Sequence, residues 1–185
     1  MRIVAGEWRG RKLVAPKGEG TRPTADRTRE TLFNMLASRL GSFNDLRIAD
    51  LFAGSGALGI EALSRGAAHC LFVEQDDAAL KTIRDNIAAL GARSRTDIRA
   101  GSVMALGPAR ESYDLILLDP PYYSDAATVA LERLKRLGWI AEGTWIAAET
   151  AFNEDVIVDG LTIAAERKVG RAKLTLLHSG APDEL

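Results

Sequence analysis

Four consecutive residues, Asp119-Pro120-Pro121-Tyr122, carry the most specific chemistry in the chain. They follow an apolar run, Tyr113–Leu118, that reads as a strand buried on both faces. Two prolines fix φ and remove two N–H donors, so the chain leaves that strand in a stiff, extended turn. The turn aims two acceptors outward, the Asp119 carboxylate and the Pro120 carbonyl, beside the flat ring of Tyr122. An exocyclic amine on a nucleic-acid base needs such a setting. Its lone pair is delocalised into the ring, so the amine is a poor nucleophile. Acceptors that hold its N–H groups turn the lone pair toward a methyl donor and stabilise the positive charge developing on nitrogen. The aromatic side chain stacks on the base, and alignment with the donor supplies much of the acceleration. A paired base has to be extruded or presented unpaired. Asp119, Pro120 and Tyr122 are therefore the expected catalytic residues.

A second motif supplies a place for the donor. Asp50-Leu51-Phe52-Ala53-Gly54-Ser55-Gly56-Ala57-Leu58-Gly59 follows another strand-like run. Gly54 and Gly56 let the backbone turn sharply and approach a ligand without a Cβ in the way. Glu74 ends the next strand, where a carboxylate can accept both ribose hydroxyl protons of an adenosine-containing ligand. Gly54, Gly56 and Gly59 also satisfy G-x-G-x-x-G, the dinucleotide fingerprint, so NAD is an alternative. Asp50 argues against it: a negative charge below the turn repels a pyrophosphate and attracts an ammonium or sulfonium. Hydride-transfer chemistry has no motif later in the chain.

Other chemistries lack their residues. Cys70 is the only cysteine, lies mid-strand among apolar residues and is expected to be buried and inert. That leaves no nucleophile for C5-pyrimidine methylation. His69 and His178 are far apart, so no zinc site is expected. Nor is there a Ser/His/Asp arrangement for acyl transfer.

The elements that position these motifs alternate. Strands are expected at Arg47–Phe52, His69–Val73, Asp97–Ala100, Tyr113–Leu118 and Thr144–Glu149. Helices are expected at Leu58–Arg65, from Asp76 or Asp77 to Leu90, and around Ala126–Leu137, with Gly66 and Gly91 as stops. Repeated β-α-β units imply an α/β, Rossmann-like fold: a mostly parallel sheet with helices on both faces. Leu161–Val169 and Ala172–His178 read as a C-terminal antiparallel hairpin. The three motif residues Asp50, Glu74 and Asp119 then fall at the carboxyl ends of strands, where doubly wound sheets bind ligands. Upstream, Arg2–Ala5 and Arg11–Ala15 read as a short β element, followed by a helix capped by Thr24 or Asp26 and ended by Gly41. The expected organisation is one domain over 1–185, with a basic N-terminal β/helix extension (1–45) on a core (46–180).

Charge is unevenly spread. Residues 1–29 hold eight Lys/Arg and three acids, a net +5. The net charge of the whole chain is −1, so the remainder carries −6. A basic end on an acidic body suits a polyanion. Arg9, Arg11, Lys12, Arg22 and Arg27 are the expected RNA contacts, and Arg29 either joins them, organises the cofactor pocket or lies on a helix surface. Trp8 either stacks on a base or anchors the β element to the core. A lone cysteine, no 18-residue apolar run and an N-terminus without an apolar signal core fit a cytoplasmic protein, expected to be a monomer.

The sequence resembles the class I S-adenosylmethionine-dependent methyltransferases, and among them the bacterial 16S ribosomal RNA guanine-N2 methyltransferases of the small subunit. Beside Asp50–Gly59 and Asp119–Tyr122, the resemblance rests on Gly6-Glu7-Trp8-Arg9-Gly10-Arg11-Lys12, on Arg22-Pro23-Thr24-Ala25-Asp26-Arg27 and on Arg29–Asn34. It implies S-adenosyl-L-methionine as cofactor and N2 of a guanine in 16S rRNA of the small ribosomal subunit as target. It also implies cofactor contacts from Asp50, the turn residues Phe52, Ala53, Gly54, Ser55 and Gly56, Glu74, Asp119, and Ser102 near the adenine. Members often carry Phe where this chain has Tyr122, and either ring stacks. The residues alone leave adenine N6 and cytosine N4 of DNA open as targets, and a non-catalytic nucleotide- or RNA-binding module as a third reading.

Overall fold

The computed structural model describes residues 1–16 and 23–180. Helix α1 (Pro23–Leu40) leads into a seven-stranded sheet built from β1 (Arg47–Leu51), β2 (His69–Glu74), β3 (Thr96–Ala100), β4 (Leu115–Leu118), β5 (Trp145–Ala151), β6 (Thr162–Val169) and β7 (Ala172–His178). Helices α2 (Ala57–Ser64), α3 (Asp77–Leu90) and α4 (Ala126–Arg136) make the crossovers. Strand order is β3-β2-β1-β4-β5-β7-β6. β1 to β5 pair in parallel, and β7 inserts antiparallel between β5 and β6.

Strands β1, β4 and β5 are buried almost throughout because helices cover both faces. One apolar cluster joins Ile48, Phe72 and Leu115 to Leu36 of α1, Ile60 of α2 and Ile83 of α3. The other joins Ile116, Leu118 and Ile146 to Leu131 and Leu134 of α4 and to Trp139, which stacks on Tyr113 at 5.4 Å. From β1 the chain turns to one side of the sheet and from β4 to the other. The crevice between their carboxyl ends is the switch point at which such sheets bind ligands.

Capping follows sequence closely. Asp76 accepts from Ala79 N at 2.8 Å to start α3, and Gly91, at φ 67°, ends it. Helix α1 departs from expectation by beginning at Pro23, which puts Asp26 inside the first turn rather than at the cap. Proline suits that first position because its missing N–H has no intrahelical partner there. The N-terminal β element is also slighter than expected: one bridge, Arg2 to Lys12, with Ile3 N donating to Arg11 O and Leu13 N to Met1 O. The reason is competition. Val4 N and Ala5 N donate instead to the two oxygens of Glu61 on α2, each at 3.0 Å, so the outer strand cannot extend its ladder. Ile3, Trp8 and Leu13 then bury themselves in the core cluster, which resolves Trp8 as an anchor. Arg29 is buried as well, 3.5 Å from Glu61 and 3.0 Å from Asp26, so it is a structural ion pair and not an RNA contact.

Candidate active site

The loop after β1 compresses three left-handed residues into five: Phe52 (φ 59°), Gly54 (56°) and Gly56 (81°). A positive φ at a bulky residue is a strained backbone, held by its surroundings. The holding group is Glu74 at the end of β2. Its Oε2 accepts from Gly54 N at 2.8 Å, and its Oε1 from Gln75 N and Asp76 N at 2.8 and 2.9 Å. A carboxylate offers about four acceptor positions. Three are occupied by backbone, so Glu74 as placed can take one ribose hydroxyl proton and not the expected two.

Asp50 corrects a second expectation. It does not face the crevice; it is fully buried beneath the loop. Its Oδ2 accepts from Gly59 N at 2.9 Å and its Oδ1 has no partner. Burial pushes its carboxyl up to about 8, against the Gly59 hydrogen bond and reinforced by the Glu74 charge. At neutral pH it is mostly uncharged, so it cannot repel a pyrophosphate in the way the sequence suggested. Gly59, the third glycine of the fingerprint, serves packing: a Cβ there would meet Phe72 at 2.5 Å and Cys70 Sγ at 2.6 Å. Cys70 is buried against this contact and its thiol is pushed well up by desolvation, an inert group.

Loop, β2 end and proline turn meet around one cleft of about 680 Å³, within the usual range for a small-molecule site. Its lining brings together Phe52, Ala53, Gly54, Ser55, Glu74, Ser102, Asp119, Pro120 and Tyr122. Asp50 and Gly56 lie behind that wall. Two carboxylates and no Lys or Arg line the cleft among the described residues. Glu74 would serve the ribose of either ligand, so the case against NAD survives on Asp119, whose charge on the cleft wall suits a cationic or neutral ligand better than a pyrophosphate. Ser102 Oγ accepts from Met104 N at 3.1 Å, starting a 3₁₀ turn, and keeps its hydroxyl proton to donate.

Tyr122 is fixed by a partner that the sequence reading missed. Its hydroxyl donates to Glu149 Oε1 on β5 at 2.7 Å. Burial raises the Glu149 carboxyl and also, with Glu149 beside it, the Tyr122 phenol. A signal existed: the expected fifth strand ends on Glu149, a fourth acidic strand end beside Asp50, Glu74 and Asp119. Tyr123 follows in a left-handed conformation (φ 57°), edge-on to Tyr122 at 6.5 Å. Ser124 N donates to Glu154 Oε1 at 3.2 Å, which ties the proline turn to the segment after β5.

The basic residues Arg9, Arg11 and Lys12 are not at this cleft. Glu7 N donates to Ser64 O and Trp8 N to Ser64 Oγ, at the last residue of α2. Arg11 Nη2 donates to Ala89 O near the end of α3, at 2.7 Å. Both helices begin at the cleft, and eight residues of α2 span about 12 Å, so the turn bearing Arg9 and Arg11 docks at the far end of the helices. Arg9, Lys12 and Arg27 are exposed. Arg22 lies outside the described residues. Among the described residues no group of three His, Cys, Asp or Glu could hold a metal, and no helix is long and apolar enough to cross a membrane.

A 3-2-1-4-5-7-6 sheet with a glycine loop, an acidic β2 end and an Asp-Pro-Pro-Tyr turn on one cleft defines a class I, Rossmann-like methyltransferase. Residues 1–178 match the family model described as Conserved hypothetical protein 95, Cons_hypoth95, and the chain belongs to that family. Its relatives include Ribosomal RNA small subunit methyltransferase D of Escherichia coli (strain K12), 39% identical over 150 residues, 81% of this chain and 74% of that protein. The enzyme of the same name from Haemophilus influenzae is 36% identical over 175 residues, 92% of this chain and 89% of that protein. A solved structure described as a putative methyltransferase, yhhF, from Escherichia coli superposes with a TM-score of 0.84 at 34% identity, covering 98% of both chains.

Proposed function

We propose that residues 1–185 act as one S-adenosylmethionine-dependent enzyme that methylates N2 of a guanine in 16S rRNA of the small ribosomal subunit, as a cytoplasmic monomer. The observation that supports this reading is the shared cleft, whose lining includes Gly54, Glu74 and Ser102 together with Asp119, Pro120 and Tyr122. The names of the relatives favour small-subunit rRNA over DNA.

When bound, S-adenosylmethionine supplies a methyl group on a sulfonium, whose departing thioether is neutral. Glu74 would accept a ribose hydroxyl, the Ser102 hydroxyl would donate toward the adenine, and the loop at Gly54 would present backbone with no Cβ on the ligand side. Asp50 contributes from below the loop, where its Oδ2 accepts from Gly59 N at 2.9 Å and holds the start of α2 against the turn. The Asp119 carboxylate and the Pro120 carbonyl accept the two amine N–H groups of the target base. They aim its lone pair and stabilise charge as it develops on nitrogen, and Asp119 is placed to receive the proton then released. Tyr122 stacks on the base, its ring angle fixed by Glu149.

The test is mass spectrometry of nucleosides from small-subunit rRNA lacking the modification, incubated with the protein and S-adenosylmethionine. N2-methylguanosine appears with the wild type. Asp119→Ala loses at least about 100-fold in rate while still binding S-adenosylhomocysteine by calorimetry. Methylated adenine or cytosine in DNA, or full activity in that variant, refutes the reading.

A further inference from the structure

The C-terminal hairpin carries charge that the cleft does not use. Beside β6 runs a shallow groove of about 490 Å³, lined in part by Phe152, Asp155, Glu166, Arg167, Lys168 and Lys173. Its two carboxylates are already matched. Lys173, buried, pairs with Asp155 and lies 3.7 Å from Glu166. Arg167 and Lys168 are exposed and make no ion pair among the described residues. Lys168 Nζ is 5.8 Å from the centroid of the Phe152 ring, itself 44% exposed. A part-exposed aromatic ring with one cation over it and a second on the same strand matches an unpaired nucleic-acid strand, which offers a base to the ring and phosphates to the cations.

One chain segment links the groove to the target-base side of the cleft. β4 and β5 are in register at Leu118 and Ala148, and β5 runs on to Ala151, past the point where the proline turn leaves the sheet. On this overhang Glu149 holds Tyr122, and Glu154 holds Ser124 N at 3.2 Å and Ala151 N at 2.8 Å. Phe152 N donates to Arg171 O at 2.9 Å, closing the segment onto the hairpin turn. One short stretch, 149–155, therefore touches the catalytic ring at one end and the groove at the other.

We propose that this groove binds the RNA strand flanking the methylated base, with a neighbouring unstacked base on Phe152 and backbone phosphates on Arg167 and Lys168. The proposal rests on the RNA-methyltransferase reading above. An unpaired strand fits better than a duplex, because only an unstacked base can reach the ring face.

Affinity for an in vitro transcript of small-subunit rRNA, measured over a salt series, tests the groove. Arg167→Ala/Lys168→Ala weakens binding about tenfold and lowers the log–log salt slope by about 1 to 2, one per lost phosphate contact. Phe152→Ala weakens binding about fivefold with the slope unchanged. The reference is Arg84→Ala/Arg93→Ala, which removes equal charge from exposed residues beside the start of β3, at the other end of the sheet. It leaves affinity within about twofold. Wild-type affinity in the Arg167/Lys168 variant, equal losses in both charge pairs, or no RNA binding by the wild type overturns the proposal. Methyl transfer is read in parallel. A wild type that binds the transcript without methylating it refutes the proposed function, while the comparison of variants still decides the groove.

Discussion

The N-terminal clamp and the cleft treat buried charge in opposite ways. Glu61, on α2, is fully buried and fully matched: two backbone N–H groups, Arg65 at 3.1 Å and Arg29 at 3.5 Å surround its carboxylate. Asp50, one helix away under the glycine loop, is equally buried and has one backbone N–H and an orphaned oxygen. The cations divide in the same way. Around the N-terminal segment the buried and half-buried Arg29, Arg65 and Arg95 are paired and Arg11 caps α3, while Arg9, Lys12 and Arg27 stay exposed. On the C-terminal hairpin a single lysine matches both acids and leaves Arg167 and Lys168 open. Satisfied charge marks the part of this molecule that holds the fold. Unmatched polar groups beneath the cleft and beside β6 mark the part that waits for a ligand.

The largest test of that contrast is Glu61→Ala. It leaves the buried Arg29 with Asp26 as its remaining ion partner and frees two backbone N–H groups, so urea denaturation should show a loss of about 3 kcal/mol. Lys173→Ala removes a cation whose partners are 71% and 41% exposed. Its cost should be about 1 kcal/mol. Equal costs would mean that the N-terminal clamp is no more structural than the hairpin.

Asp50→Asn probes the unmatched side through pH. In the folded protein the carboxyl is raised to about 8 from an ordinary value of 3.8. Between those values the unfolded chain has given up the proton and the folded chain keeps it. Wild-type stability from this group is therefore fully present below about pH 4, falls as pH rises, and is gone above about pH 8. Asparagine keeps an acceptor for Gly59 N and has no such slope. The melting temperature of the variant should pull ahead of wild type from pH 5 to pH 8. A constant gap across that range would show that Asp50 is matched after all.

Sequence patterning exposed the sheet, its helices and the hairpin closely, because the central strands β1, β2, β4 and β5 are short, mostly apolar runs with an acid, a glycine or a proline at or just after their ends. The cleft residues that lie on those strand ends were legible for the same reason. Three things were not. The direction of Asp50 depends on the left-handed Phe52 and Gly54, and a strained loop has no periodicity to read. The partition of arginines into paired and open depends on Glu61, which in sequence is one acid in an apolar helix. Glu149 was visible as a strand end, but its hold on Tyr122 needs the overhang of β5 past β4, a matter of register between strands far apart in the chain.

The basic N-terminal turn gives a finer measure of the two regions. Charge counting assigned RNA to Arg9, Arg11 and Lys12, yet their turn docks at the ends of α2 and α3 away from the cleft. Arg9→Ala/Lys12→Ala should weaken binding of the rRNA transcript about threefold, through a general electrostatic attraction, against about tenfold for Arg167→Ala/Lys168→Ala. A reversed order would move the principal RNA contact to the N-terminal face and leave the hairpin as a peripheral surface.

The smallest expected effect separates the ring of Tyr122 from its hydroxyl. Phenylalanine stacks equally well, so Tyr122→Phe should leave the KM for RNA unchanged. It loses the 2.7 Å bond to Glu149 and with it the fixed ring angle. The expected result is a fall in kcat of about twofold to threefold, the scale of one modest net hydrogen bond. Glu149→Gln still accepts from the hydroxyl and should stay near the wild-type rate. If both variants lose melting temperature and neither loses kcat, the pair belongs with Glu61 as a structural clamp, and the boundary between the two regions shifts to the Asp119–Pro120 pair alone.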